Sequence, residues 1–340
     1  MATITFGSNS VTNGTTGNDS LIGNEPTGNT NDIVYGHQGD DTITFTDAVS
    51  NSTLYGGQGN DLVLASDGGR NIVYGNFGND TLVSSFDTGD TLYGGQGNDV
   101  IASDFGFTGA VYGNLGDDTI SVFSSTFMNF YGGQGNDVVI AGDSFNDVVY
   151  GNFGNDLLVG NDFTEDTHLY GGQGNDTLVF SGSTISGGGD SGDTFNDTMT
   201  GNLGNDLFIA SNGDGTTGGV GSIGFELFTD QIVTVTDFLS GTDQLAFGNV
   251  AGVPLDKIQG IGDNASQALT AANAIYSTSP TSEYVFVYGG TGAGYLFYNG
   301  DSNESVATAG MALVGQNSEN SVAATDITLI PSALHTAGIA

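Results

Sequence analysis

The chain has no cysteine and no tryptophan, only four prolines, and only two basic residues, Arg70 and Lys257, in 340. Without cysteine there is no disulfide framework and no thiolate metal site. Two cations stand against 39 acids, and the formal net charge is −37. That balance excludes a nucleic-acid partner and argues against anionic membrane surfaces. No apolar run approaches the roughly 18 residues that a membrane helix requires. The opening residues MATITFGSNS carry neither a basic stretch nor an apolar core, so they do not read as a cleavable signal peptide. If the chain is exported, another signal must be read.

Glycine is abundant, at 58 residues. It lacks the three-residue period of collagen, and the aliphatics recur too regularly for simple disorder. Six of the 39 acids are Glu, so Asp dominates. Asp is the acid of tight loops and of metal-binding turns. A compact chain of this charge repels itself, and multivalent cations are the natural neutralising agent.

A block of the form (Y/T)GxxG(N/D)D ends at Asp41, Asp61, Asp80, Asp99, Asp118, Asp137, Asp156, Asp176 and Asp206. Its period is 19 or 20 residues, apart from an insertion of about ten residues near 181–192. Each block precedes a short β-type run such as TLV (81–83), then a variable turn, then a second run ending in tyrosine such as TLY (91–93). Two strands and two turns per period describe one coil of a solenoid. Alternation predicts Ile43, Val63, Leu82, Ile101, Ile120, Val139, Leu158, Leu178 and Phe208 inward from the first strand. Leu54, Val73, Leu92, Val111, Phe130, Val149 and Leu169 point inward from the second. One aliphatic per strand is a thin core, and burial alone would not hold such coils together.

The loops supply the rest. Stacking places successive Asp side chains roughly 4.8 Å apart, the strand spacing. Such a column is repulsive unless a dication sits between neighbours. Carboxylate and carbonyl oxygens together suit Ca²⁺, with its six to eight oxygen ligands, better than Mg²⁺. The motif resembles the GGxGxDxUx nonapeptide of the RTX (repeats-in-toxin) family: GGQGNDVIA (94–102) is a full match, and GGQGND recurs at 56, 132 and 171. The resemblance covers about residues 14–210. It implies an all-β fold, a parallel β-roll that binds several Ca²⁺ ions between adjacent coils. The ions would be held by the nine Asp carboxylates above, by Asp19 of the imperfect starter TGNDSLIG (16–23), and by loop carbonyls including those of Gly56, Gly75, Gly94, Gly113, Gly132, Gly151 and Gly171.

The sequence departs from the family in the second half of each coil, which has lost its glycines: SSFDTGDTLY (84–93), SDFGFTGAVY (103–112), GDSFNDVVY (142–150). Aromatics stand there instead, namely Phe86, Phe105, Phe107, Phe127, Phe145 and Phe163. Apolar packing is expected to replace metal along that edge, leaving one calcium row. The intact loops alternate at their third position, Gln at 38, 58, 96, 134 and 173, and Phe77, Leu115, Phe153 and Leu203 between. These apolar groups either fold back over neighbouring strands or form a contact edge for another copy. Tyr35, Tyr55, Tyr74, Tyr93, Tyr112, Tyr131, Tyr150 and Tyr170 present a similar choice, an outward ladder or an interface.

Three segments follow from this reading: 1–13 at the N-terminus, the roll over 14–210, and a capping and secretion-signal region over 211–340. In the last, IVTVTDFLSGTDQLAF (232–247) resembles the segment that closes many RTX repeat regions, with Asp237, Phe238, Gly241 and Asp243 matching. Residues 264–276 predict an amphipathic helix with Ala265, Ala268, Leu269, Ala272 and Ile275 on one stripe. Strand-like runs at 284–288, 294–298, 311–314 and 327–330 complete a small β-rich cap with one short helix, the first two joined as a hairpin. The resemblance further implies type I secretion through an uncleaved C-terminal signal, with folding outside the cell as calcium binds. Catalytic material is scarce: His37, His168 and His335 are scattered, and neither HExxH nor GxSxG occurs. A non-enzymatic, secreted structural protein that assembles with itself into a filament, surface layer or matrix is therefore expected. The rival is a monomeric calcium-dependent adhesin or ligand-binding module, with a cell-surface glycan as partner. Ice binding would need regular Thr rows, and Thr42, Thr81, Thr119 and Thr177 alternate with aliphatics.

Overall fold

The structure, a computed structural model, describes residues 1–7, 9–24, 31–45, 49–65, 68–84, 88–103, 108–123, 126–142, 146–161, 166–181, 197–211, 233–247, 255–259, 264–279, 282, 284–288, 292–299, 309–316 and 318–328. The chain divides into two compact units, Met1–Leu158 and Val159–Ala340.

The first unit is a parallel β-solenoid. Each coil contributes one strand to each of two sheets. On one side Thr42–Phe45, Leu62–Ala65, Thr81–Ser84, Val100–Ser103, Thr119–Val122 and Val138–Ala141 pair in parallel in chain order. On the other, Ile33–Gln38, Thr53–Gln58, Ile72–Phe77, Thr88–Gln96, Thr108–Leu115, Asn129–Gln134 and Val148–Phe153 do the same. Apart from a shift between Thr88 and Asp90, registers match position for position, so like residues stack. The N-terminal residues join the stack: Ala2–Phe6 pairs with Asp19–Gly23, and Val11–Asn13 with Ile33–Tyr35.

The inward residues expected from alternation are fully buried, from Ile43 to Leu158 on the first strands and from Leu54 to Val149 on the second. A second inward position follows on the first strand, filled by Phe45, Ala65, Ser84, Ser103, Val122 and Ala141. The tyrosines form an outward ladder. Seven rings from Tyr35 to Tyr150 stack with centroids 4.8–5.1 Å apart and planes within 3–8° of parallel.

The second unit contains coils of the same kind. His168–Gln173 pairs with Thr198–Leu203, and Thr177–Ser181 with Leu207–Ser211, all in parallel. The closing segment adds Val233–Val235 beside Thr198–Met199 and Gln244–Ala246 beside Leu207–Ile209. Val233–Val235 also pairs with Met311–Leu313, which opens a mixed sheet: Ala309–Val314 and Tyr284–Tyr288 each run antiparallel to Ala293–Tyr298. The hairpin expected between 284 and 298 is present. A helix, Ala265–Thr278, begins at Asn264, whose Oδ1 accepts from the Gln267 N–H at 3.0 Å. It buries Ala268, Leu269, Ala272 and Tyr276 against Val285, Val287 and Phe297. The strand expected at 327–330 is different: Ala324–Asp326 is a 3₁₀ turn, Ile327 makes only an isolated bridge to Leu245, and 329–330 lie outside the described residues.

A thin core leaves little redundancy. Phe130 is among the largest fully buried side chains of the first unit. Phe130→Ala should cost about 3–5 kcal/mol in urea unfolding at saturating calcium. A loss below about 1 kcal/mol would mean that the interior collapses around the gap and contributes less than its burial implies.

Candidate functional site

Each Asp of the repeat enters a buried column along one edge. In the first unit, the backbone N–H groups of Asp19, Asp41, Asp61, Asp80, Asp99, Asp118 and Asp137 each donate to the Oδ1 of the Asp one coil further on, at 2.7–2.8 Å. The Ala2 N–H closes the series on Asp19 at 3.0 Å. In the second unit Asp176 donates to Asp206 at 2.9 Å, and Asp206 donates to Asp243 of the closing segment at 3.1 Å. Asp237 caps the same end, accepting from the N–H groups of Gly201 and Asn202.

The other carboxylate oxygen is treated differently. The Oδ2 atoms of Asp41, Asp61, Asp80, Asp99, Asp118 and Asp137 are buried without a hydrogen-bond partner. Each lies over the first glycine of its own loop, where a Cβ would collide with it: Gly56 with Asp61, Gly75 with Asp80, Gly94 with Asp99, Gly113 with Asp118, Gly132 with Asp137. Gly171 stands likewise under Asp176, and Gly151 is buried in the strand Val148–Phe153. The carbonyl oxygen of the next coil's first glycine converges on the same spot, so that Gly113 O joins Asp99 Oδ2 above Gly94. An orphaned carboxylate oxygen, a convergent carbonyl and a glycine-floored cradle make an all-oxygen donor set that fits a hard cation such as Ca²⁺.

Burial dominates the electrostatics. It pushes the carboxyls of Asp61, Asp118 and Asp156 up to about 7, against the hydrogen bond from the preceding Asp N–H. Those of Asp80, Asp99, Asp137 and Asp206 rise to about 6 for the same reason. Asp19 is held down instead, chiefly by the Thr15 N–H.

Two polar ladders were not foreseen. At the loop position before each Asp, an exposed side chain accepts from the backbone of the following coil. Asn60 Oδ1 takes the Asn79 N–H, Asn79 takes Asn98, and Asn98 takes Asp117, at 2.8–3.0 Å. The opposite edge carries a third ladder of mixed chemistry. Asp32, Ser52, Asn71 and Asp90 accept in turn from Ser10, Asp32, Ser52 and Asn71 at 2.7–3.0 Å, and Asp147 accepts from Met128 at 2.8 Å. That edge is therefore built on buried polar side chains, with gaps at Gly109 and Met128. Of the aromatics assigned to it, Phe127 is 72% exposed, and Phe86, Phe105, Phe107, Phe145 and Phe163 lie outside the described residues. The histidines do not converge: the His37 ring contacts Asn13, the His168 ring contacts Thr198, and His335 lies outside the described residues.

The RTX calcium-binding nonapeptide repeat (4 copies) family model matches residues 27–45, 49–68, 63–88, 86–107, 131–163, 166–182 and 185–216. Together with the β-solenoid and its Asp column, these matches place the chain in the RTX calcium-binding repeat family across residues 27–216. No curated protein matches the chain.

Two outcomes follow. With pKa values raised above the ordinary 3.8, the folded, metal-free coils retain protons that the unfolded chain has released. This stabilisation is complete below about pH 4 and is lost as pH rises through 6 and 7. In EGTA, the far-UV β signal should therefore survive at pH 5 and disappear above pH 7.5, and calcium should restore it there. A metal-free fold that strengthens with pH would contradict the buried-carboxylate account. Second, Asp99→Asn keeps the Oδ1 acceptor for Asp80 but removes a buried charge. It should raise the melting temperature in EGTA at about pH 6.5, where the parent still folds and Asp99, pushed up to about 6, is largely ionised, and lower the calcium stoichiometry measured by titration.

Proposed function

We propose that the chain is a secreted, calcium-loaded structural protein that assembles with copies of itself into an extracellular filament, surface layer or matrix. The observation that carries this reading is the exposure of Phe77, Leu115 and Phe153, at 50%, 40% and 50%, on a regular stack in a protein of net charge −37. Monomeric proteins seldom display ordered apolar rows. Leu203, at the same loop position in the second unit, is exposed too.

In this reading each ion sits between adjacent coils, held by Asp Oδ2 and by the carbonyl of the next coil's first glycine. Calcium supplies the positive charge that lets the column form. RTX repeat proteins are usually secreted, and among the described residues no helix is long and apolar enough to cross a membrane. Export by type I machinery, with folding deferred until calcium is met outside, accords with the calcium linkage. A non-enzymatic role accords with the dispersed histidines. Self-assembly is preferred to glycan adhesion because the stacked tyrosines spend their ring faces on one another, leaving edges outward.

Electron microscopy and light scattering of the purified protein, with calcium and with EGTA, test the reading. Ordered assemblies should form only with calcium, and Phe77→Ser with Phe153→Ser should fold but assemble poorly. A parent protein that stays monomeric across calcium and protein concentrations would return the adhesin to first place.

A further inference from the structure

The alternation of the loops produces a pattern with an unusual symmetry. Down the second sheet of the first unit, the third loop positions stack in register as Phe77, Gln96, Leu115, Gln134 and Phe153. From Phe77 to Phe153 the column is a palindrome centred on Leu115, and the two coils before it carry Gln58 and Gln38. The residues beside it repeat the symmetry, with asparagine at 76, 114 and 152 and glycine at 95 and 133. Together they line one shallow groove in which apolar posts alternate with glycine-floored gaps.

Both glycines are at φ +123°, and a Cβ there would strike the backbone oxygen of the coil before, so the gaps cannot be filled by a side chain. Where asparagine replaces glycine, at φ 79–81°, it occupies the left-handed region that asparagine tolerates better than most residues. The posts are therefore fixed at every second coil, about 9.6 Å apart, and the gaps lie midway.

The occupant is constrained by charge and period. The outward residues of the seven strands from Ile33–Gln38 to Val148–Phe153 include no acid and no base apart from His37. The outward residues of the first sheet, from Thr42–Phe45 to Val138–Ala141, are equally uncharged, so low charge admits another copy on either face, and the groove with its exposed row at 77, 115 and 153 is what distinguishes this one. A two-fold axis at Leu115 lays the five strands from Ile72–Phe77 to Val148–Phe153 on their counterparts, roughly 24 Å by 20 Å. That area, about 480 Å², is somewhat over half of the ~800 Å² each partner contributes to a standard interface, so a single contact is weak and an array multiplies it.

We propose that this face is the self-association surface, and that two copies meet on it antiparallel, about a two-fold axis at the level of Leu115. A palindrome is what a two-fold contact requires, since residue i of one copy then meets residue j of the other and the reverse. Phe77 of each copy lies opposite Phe153 of the other, and Leu115 opposite Leu115. The proposal rests on the self-assembly reading and specifies its first contact.

The absence of cysteine makes single-site spin labelling straightforward. Leu115→Cys and Phe77→Cys, each fully labelled and assembled with calcium, would be measured by continuous-wave dipolar broadening for the shortest separations and by double electron–electron resonance for the longer ones. Packed sheet faces lie about 10 Å apart, so the label at 115 should report the shortest distance between copies. The label at 77 sits four coils from its twin, about 19 Å along the axis, and should report a distance roughly twice as long. Equal distances at the two sites would mean parallel packing and overturn the proposal. Assemblies with neither distance short would overturn it while leaving self-assembly standing, and a monomer under all conditions would remove both. Leu115→Gln, which copies its neighbours in the column, gives a second measurement. It should weaken association at least tenfold by sedimentation, whereas Leu62→Gln on the other sheet should not; equal effects would refute a specific face.

Discussion

The structure depends on what one aspartate does with its two oxygens. Oδ1 accepts the N–H of the preceding coil's Asp, which satisfies a backbone donor that the turn would otherwise bury unpaired. Oδ2 is left buried and unmatched over a glycine. The first oxygen joins coil to coil in the metal-free chain. The second makes that joint unfavourable at neutral pH, because burying a bare carboxylate is costly. A single side chain thus both specifies the stack and withholds its stability until a cation arrives. The glycine beneath follows from the same geometry, since any Cβ would occupy the place of the carboxylate oxygen.

Around that column the coil is fixed from several directions. The inner Asp ladder accepts from the coil before, and the outer Asn ladder accepts from the coil after. Opposed bonding of this kind resists both slipping and tilting of a turn. The tyrosine stack on the second sheet keeps the same spacing. Since successive coils match residue for residue, small local choices such as Gln or Phe at one loop position become long regular rows.

Much of this was legible in the sequence. The period announced the coil, alternation identified the buried residues from Ile43 to Leu158, and apolar spacing located the helix at Ala265–Thr278. What stayed hidden has physical causes. The outer ladder uses Asn and Asp, which read as ordinary turn residues, and only three-dimensional stacking reveals their common partner. The opposite edge mixes Asp32, Ser52, Asn71, Asp90 and Asp147, chemically different acceptors that perform one task, so no single motif marks it. Tyr276 lies beside the aliphatic stripe, but its hydroxyl finds the Phe297 carbonyl, which permits full burial. ITLI at 327–330 has the composition of a strand, yet Asp326 is engaged by Ser240, Gly241 and Ala323, and those bonds impose a turn just before it.

If copies assemble as proposed, calcium and assembly are linked more closely than by order of events. Phe77, Leu115 and Phe153 form a row only when their coils are stacked, and stacking brings the carboxylates together. A contact made by the stacked coils alone therefore stabilises the calcium-bound form over the unfolded one. By thermodynamic reciprocity, the factor by which calcium favours association is the factor by which association tightens calcium. The number of coils would amplify the effect, because each such contact would span several candidate metal sites at once and loosening any of them would disturb the shared register. An assembled array would then hold its ions at free calcium concentrations where the isolated chain releases them. Its formation and its dissolution would occur at different calcium levels whenever exchange at the contacts is slow. For an assembly outside the cell, where calcium varies, such a lag would turn a reversible binding reaction into a durable material.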